Sequence, residues 1–296
     1  VVFVNPTAGR GRALSYLSRI QTAFDTASVA SEFISIGDVK ELESSVVAAI
    51  KAGKRFLFAL GGDGTFQGLV NAAYSADVVL GVLPAGCGND FAAGLNLPED
   101  PVAAAEAVLR GQPKQVDLVR VRTANGRVRL YLGGGGLGMD AEAARLAGGA
   151  FRRLPGRARY VASALRAYCG YSAIGVRAEF PESELPPVEA KALLAAVLNT
   201  PSYGAGIRLA PGARLDDGWL DAVIVEDLRL FEVLALLPRL LKSGELRTPH
   251  VKRMRVRAVK LSTDRPSLFH GDGEILGPPP VEIEIVPQAV RVLAPA

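Results

Sequence analysis

The chemistry of this 296-residue chain is most legible in Gly61-Gly62-Asp63-Gly64-Thr65. The apolar run before it, Phe56 to Leu60, reads as a short buried strand. A double glycine at the end of a strand lets the backbone turn sharply and present its N–H groups. Asp63 offers charge to a metal ion or a hydroxyl, and Thr65 can cap a helix beginning near Phe66. Together these features make a seat for nucleotide phosphates, although an ordinary strand-to-helix turn would also use the glycines. Two further loops share this chemistry. In Asn5-Pro6-Thr7-Ala8-Gly9-Arg10-Gly11, the glycines allow close backbone approach, Asn5 and Thr7 offer hydrogen bonds, and Arg10 can neutralise phosphate. It matches neither the Walker pattern nor Gly-x-Gly-x-x-Gly. In Pro84-Ala-Gly-Cys87-Gly-Asn89-Asp90-Phe-Ala92, a helix cap accounts for Asn89 or Asp90 but not easily for both. Three polar, glycine-bearing turns on one sheet edge favour a site over three unrelated turns.

The elements that must position these loops alternate. Strands are expected at Val1 to Val4, Ala30 to Ile36, Phe56 to Leu60 and Val78 to Leu83. Helices are expected at Gly11 to Ala27, Val39 to Ala52, Phe66 to Tyr74 and Val102 to Arg110. That order predicts a doubly wound α/β domain with a parallel sheet, whose ligands sit beyond the carboxyl ends of the strands. After Val116 the texture changes. Val119 to Arg122 and Arg127 to Leu132 alternate around the turn Ala124-Asn125-Gly126. Strand-like runs follow at Gly175 to Phe180, Ala192 to Leu198, Leu220 to Val225, Arg253 to Leu261 and Val281 to Val286. Helical inserts fall at Ala141 to Ala147, Arg157 to Tyr168 and Leu230 to Leu241. The reading is a nucleotide-binding domain over 1–117 and a mainly antiparallel β domain over 118–296, its final segment 281–296 packing back near the first domain.

Hydrophobic residues make up 49% and charged residues 22% of the chain, which excludes a disordered or coiled-coil protein. A net charge of +4 suits an acidic ligand or an anionic surface without requiring nucleic acid, and no nucleic-acid recognition motif accompanies the scattered arginines. Cys87 and Cys169 are the only cysteines and lack metal-type spacing, which suggests a reducing cytosol. No signal-peptide pattern opens the sequence. Cys169 reads as a small core residue, and His250 and His270 as structural or incidental.

The three loops, with Gly136-Leu-Gly-Met-Asp140-Ala141, Asp216-Asp-Gly-Trp-Leu-Asp221 and Asp272-Gly-Glu274, resemble the diacylglycerol kinase catalytic family, which includes sphingosine and ceramide kinases and bacterial relatives. Gly-Gly-Asp-Gly is shared with NAD kinases and phosphofructokinases, whereas the Gly-x-Asn-Asp-Phe-Ala segment and the late Asp-Gly-Glu point to the lipid branch. The resemblance implies a C-terminal β-sandwich, with ATP between the two domains. It places Asn5, Pro6, Thr7, Ala8, Gly9, Gly61, Gly62, Asp63, Gly64, Thr65, Cys87 and Asn89 around the nucleotide, and Ser35 where relatives contact it with Thr. It further implies Mg²⁺, and Glu274 or Asp272 as the base that takes the lipid hydroxyl's proton, a role given to the Asp63 position in some branches. Phosphoryl transfer needs neutralised phosphates, an in-line hydroxyl and one proton acceptor, and three carboxylates suffice for a base and a metal ligand. Without the resemblance, Asp272-Gly-Glu274 reads as a turn before Ile275. Arg214, Asp217 and Trp219 match a second metal site, with a carboxylate joined by backbone carbonyls, though Asp-Asp-Gly is also a common turn before a strand. Dimers occur in the resembling family, so a homodimer is an expectation by analogy.

The sequence departs from the family in three places: Cys87 stands for Thr, Gln67 for Asn and Gly133 for Asn. A catalytically weakened nucleotide- or lipid-binding relative and an NAD kinase-like enzyme are the alternatives. A lipid kinase must reach its substrate at a membrane surface, so peripheral association of a cytoplasmic protein is expected. The arginines of Phe151 to Tyr160 suit an interfacial patch, although a packed surface helix with solvated arginines is the preferred reading. Leu228 to Leu241 is a second candidate for such a patch, although Pro238 and the dense leucines look more like core.

Overall fold

The apolar runs of the N-terminal third become the parallel strands β1 (Val2–Val4), β2 (Phe33–Ser35), β3 (Phe56–Gly61) and β4 (Val79–Pro84). The computed structural model describes residues 1–295 apart from 152, 153, 155, 205 and 245–247. Strand pairing gives the order β2-β1-β3-β4, so the chain reverses its progress across the sheet between β1 and β3. In open α/β sheets that reversal marks the place where loops diverge and a ligand fits. The helices are α1 (Leu17–Thr26), α2 (Val39–Lys51), α3 (Asp63–Ala73), α4 (Asp90–Gly94) and α5 (Pro101–Arg110). Local signals fix two starts. The Asp38 carboxylate accepts from the Glu41 N–H ahead of α2, and Asp100 accepts from Val102 and Ala103 ahead of Pro101 in α5. Phe3, Phe24, Leu57, Leu60, Phe66, Leu69 and Phe91 are buried here.

Two helix starts differ from expectation. α1 begins at Leu17 rather than Gly11, because Gly9, Arg10 and Gly11 take φ of 56°, 65° and 84° inside a 3-10 stretch over Ala8–Tyr16. α3 begins at Asp63 rather than Phe66, with Gly62 in the N-cap position and no side-chain cap, so Thr65 lies inside the first turn instead of capping it.

The chain divides into two compact units, Val1–Asp117 with Pro287–Ala296, and Leu118–Val286. β5 (Gln112–Arg122) runs through the boundary and forms a hairpin with β6 (Val128–Tyr131), pairing Val119 with Tyr131. The second unit continues through β7 (Gly134–Gly138), α6 (Met139–Gly148), α7 (Gly156–Gly170), β8 (Ile174–Glu179), β9 (Val188–Leu198) and β10 (Leu220–Glu226). It then adds α8 (Leu230–Lys242), β11 (Val251–Val256), β12 (Ala258–Thr263), β13 (Phe269–Gly271), β14 (Glu274–Gly277) and the start of β15 (Val281–Ala294). Its pairings are antiparallel, in the order β14-β13-β7-β9-β8-β12-β15, with β10 between β9 and β11. Alternate residues of these strands, including Val176, Ala178, Ala195, Val197, Leu261 and Ile283, close on Tyr131, Phe180 and Phe269 in one apolar cluster.

Several departures from the sequence reading have physical causes. The run 253–261 is two strands, broken at Arg257. The last strand continues to Ala294, and its Arg291 and Val292 pair with Val79 and Leu80 of β4 in the first unit. The glycine-rich segment 134–138 carries no strand signal, yet forms β7 between β13 and β9. Cys169 is exposed rather than a core residue. α8, expected as core, contains no buried residue. The basic segment Phe151 to Tyr160 lies in part outside the described residues.

One strand position tests the packing of the first sheet. Gly81 pairs with Phe58 across β3 and β4, and a Cβ on Gly81 would stand 2.2 Å from the Phe58 ring. Gly81→Val is expected to destabilise the protein by about 1–3 kcal/mol, read as a lower melting temperature. An unchanged melting temperature would show that the ring relaxes freely.

Candidate active site

In the first unit, three loops at the carboxyl ends of β1, β3 and β4 are stitched together by specific bonds. The Asn5 N–H reaches Leu60 O at 3.0 Å, and its side-chain amide donates to Thr65 Oγ1 at 3.0 Å, which joins the β1 loop to the start of α3. Asn5 Oδ1 accepts from the N–H and hydroxyl of Thr7, at 3.0 and 2.8 Å, which holds Pro6 and Thr7 in a tight turn before Ala8. Gly9 then passes so close to the β4 loop that a Cβ there would lie 2.5 Å from Ala85 O. A Cβ on Gly86 would lie 2.5 Å from Gly62 Cα, so the β3 and β4 loops touch backbone to backbone. Asn89, in the left-handed region at φ 59°, folds its side chain back to accept from the Gly86 N–H at 3.0 Å and donate to its carbonyl at 3.2 Å. Cys87 lies half-buried between them, and Ser35 lies exposed at the end of β2 beside Val4.

Asp63 has a structural task. Its oxygens accept from the N–H groups of Asp90 and Phe91 at 3.3 and 3.2 Å, which fastens α4 to the first turn of α3 over the stacked rings of Phe66 and Phe91. With Gly62 and no side-chain cap ahead of it, α3 directs the positive end of its dipole toward the strand-end loops, while the Thr65 and Phe66 N–H groups donate to Gly62 O. Backbone donors, small residues and the hydroxyls of Thr7 and Thr65 converge there. That is the chemistry of a phosphate cradle.

The second unit holds the other candidate carboxylates in a two-residue hairpin turn. Asp272 and Gly273 join β13 to β14 with φ of 48° and 87°, as the twist of paired strands demands of such a turn. The turn anticipated from the sequence is therefore present, and it does further work. The Asp272 carboxylate accepts from the N–H groups of Leu132, Gly133 and Gly134 at 2.7, 2.9 and 3.2 Å. A Cβ on Gly133 would stand 3.1 Å from Asp272 Oδ1, so the absence of a side chain there is matched to this contact. Glu274 opens β14 opposite Gly271 and is half-buried. Of the two acids, Asp272 is committed to the backbone, and Glu274 is the better candidate for proton transfer.

Family models match both parts of the chain. Residues 1–121 match the diacylglycerol kinase catalytic domain, and residues 135–294 match the YegS C-terminal NAD kinase beta sandwich-like domain. The chain belongs to the diacylglycerol kinase family of lipid kinases. A protein named "Diacylglycerol kinase" from Mycobacterium tuberculosis is 29% identical over 98% of this chain and 93% of its own length. "Probable lipid kinase YegS-like" of Chromohalobacter salexigens is 32% identical over 75% of this chain and 73% of its own. The crystal structure of a diacylglycerol kinase from Bacillus anthracis superposes with a TM-score of 0.74 at 19% identity, covering 99% of this chain and 95% of that one. The fold is thus a mixed α/β N-terminal domain followed by a β-sandwich-like domain. Kinases of this family use ATP, whose phosphates are groups that backbone donors and hydroxyls can bind.

Beside the Asp272 turn, this diacylglycerol kinase relative carries a polar cluster that local sequence spacing could not reveal. The Tyr203 hydroxyl donates to Asp140 Oδ2 at 2.7 Å, and His270 Nε2 lies 3.0 Å from both. Asp140 appears in the sequence as part of a family motif, but His270 reads there as structural or incidental and Tyr203 carries no signal. The partners are 63 and 67 residues from Tyr203 in sequence, so only the fold unites them. Burial and then the Asp140 carboxylate push the Tyr203 phenol well above its ordinary value. Burial lowers the proton affinity of His270, but the charge and hydrogen bond of Asp140, with Asp272 beyond, outweigh it and hold the imidazole above its usual pKa. A Cβ on Gly136 would lie 2.4 Å from Asp140 Oδ2, which explains one glycine of β7.

The expected second metal site has a different character. Asp217 accepts from the Trp219 N–H at 3.1 Å, and its other oxygen is paired with Arg255. Arg255 and Arg257 both lie over the Trp219 ring, while Arg214 reaches Asp216. Asp217 is thus paired with a guanidinium that a hard divalent ion would have to displace.

The two acids of the hairpin should separate by experiment. Asp272→Asn sets an amide against backbone donors and is expected to cost about 1–3 kcal/mol of stability. Glu274→Gln removes none of these three backbone contacts and is expected to cost less than Asp272→Asn. Thermal denaturation of both variants measures this, and equal melting temperatures would refute the anchoring role of Asp272.

Proposed function

We propose that this chain is an ATP-dependent lipid kinase that moves the γ-phosphate of ATP to the free hydroxyl of diacylglycerol or a closely related lipid. The reading is carried by the stitched cradle: Asn5 bonded to Thr65, and Gly9, Gly62 and Gly86 in backbone contact around one strand-end surface. In this proposal the β1, β3 and β4 loops hold the phosphates, with Thr65 as a hydroxyl donor and the α3 N-terminus as the dipole. Arg10, exposed beside Gly9, supplies positive charge at the rim. Asp63 positions the β4 loop, which keeps the cradle rigid as charge shifts during transfer. Glu274 accepts the hydroxyl proton as the lipid oxygen attacks phosphorus and the ADP oxygen leaves. Asp272 orients the turn that presents it. Mg²⁺ would supply charge neutralisation on the phosphates, held largely by phosphate and water oxygens.

Transfer of labelled phosphate from ATP to a panel of lipids in mixed micelles tests this reading. Labelled phosphatidic acid from diacylglycerol is the expected product. Glu274→Gln is expected to lose about 10²–10⁴ in turnover, the usual contribution of a positioned base. Label in NAD rather than lipid would move the protein to a different substrate class, and full turnover by Glu274→Gln would remove it as the base.

A further inference from the structure

The strongest feature left unused by this account is α8. Glu232, Arg239 and Lys242 are its only polar side chains, yet none of its thirteen residues is buried among the described residues. A helix that is apolar all round belongs in a core or against lipid. Here the face turned to solvent is the apolar one: Leu230 is 43%, Phe231 64% and Leu234 47% exposed, and Ala235 and Pro238 continue the same stripe at helical spacing.

The helix is nonetheless firmly held at its base. Leu228 is buried ahead of it, and its carbonyl accepts from the Tyr168 hydroxyl at 2.7 Å. Glu232 turns back to accept from the Arg229 N–H at 2.7 Å. On the inner side Leu240 packs against the cluster of Leu198, Leu209 and Val223, and its carbonyl accepts from the Arg208 N–H. An apolar stripe on an anchored helix is therefore a built surface.

Charge selects what covers it. Arg229, Arg239 and Lys242 are exposed at the two ends of the helix. The sole acid of the helix is occupied with the N-terminal cap. Phenylalanine and leucines flanked by three cations, which outnumber the exposed Asp227 at the base, match an interface with anionic lipid headgroups, where the rings enter the acyl boundary and the cations meet phosphate. We propose that α8 is the element by which this protein docks on an anionic bilayer surface. The choice of a bilayer over a protein partner rests partly on the lipid-kinase reading, since such an enzyme meets its substrate there.

The test is co-sedimentation of the full chain with vesicles of phosphatidylglycerol and phosphatidylcholine, or of phosphatidylcholine alone, without nucleotide or diacylglycerol. The parent is expected to partition onto the anionic vesicles and to be released by salt. Phe231→Glu with Leu234→Glu should lower that partition at least tenfold while leaving the melting temperature unchanged, because both side chains are already exposed. Arg239→Glu with Lys242→Glu should weaken binding to anionic vesicles and flatten its salt dependence. With a short-chain acceptor dissolved as monomers, the Phe231→Glu/Leu234→Glu protein should phosphorylate as fast as the parent. Vesicle binding that falls as expected without any lipid phosphorylation would support the docking helix and defeat the kinase reading alone. Equal partition of parent and variants would overturn the docking helix. So would a parent dimer that Phe231→Glu converts to monomer in light scattering, since the stripe would then belong to a second copy.

Discussion

Backbone approaching backbone, with no Cβ between, is the constraint on which the candidate site depends. Gly9 lies against Ala85 O, and Gly86 lies against Gly62 Cα, at distances that a Cβ on Gly9 or Gly86 would violate. Those contacts draw three loops, separated by up to 80 residues of sequence, to one edge of the parallel sheet, as the reversal of strand order between β1 and β3 requires. Hydrogen bonds then lock what the glycines permit: Asn5 to Thr65, Asn89 to Gly86, and Asp63 to the start of α4. A cradle built in this way loses little freedom when an anion arrives, because its donors are already aimed.

The second unit applies the same rule to a β-sheet. β7 is glycine at four of its five positions, and three of its neighbours exploit the space: the Phe269 ring lies over Gly135, Asp140 fills the place beside Gly136, and the Leu193 carbonyl crowds Gly138. β7 is thereby squeezed between β9 and β13 closely enough for the Asp272 turn to reach the backbone at 132–134. The carboxylate of Asp272 and the cluster of Asp140, Tyr203 and His270 are consequences of that tight packing. They place Glu274, the remaining acid of the hairpin, on a rigid base.

Much of this was legible in the sequence, and the exceptions are instructive. The alternation of apolar runs with glycine-bearing turns indicated a parallel sheet with its loops at one edge, because burial on both faces leaves a strong imprint on strands such as Phe56–Gly61. The Asp-Gly pair indicated a turn for a local steric reason. β7 escaped notice because a strand of glycines has neither hydrophobic period nor β propensity, and only its neighbours show why it is extended. The start of α1 was obscured because positive φ at Arg10 is imposed by the loop around it. Dense leucines in α8 suggested a core helix. Composition cannot tell a face that meets protein from one that meets solvent or lipid. Long-range contacts such as Asp217 with Arg255, whose guanidinium lies over Trp219, also leave no local trace.

Hydrogen–deuterium exchange of the full chain, with and without a non-hydrolysable ATP analogue, tests the central claim most directly. The account predicts that the analogue slows exchange together in the segments around Thr7–Gly9, Gly62–Thr65 and Ala85–Asn89. Protection confined to one of those loops, or appearing only elsewhere, would contradict a shared phosphate cradle.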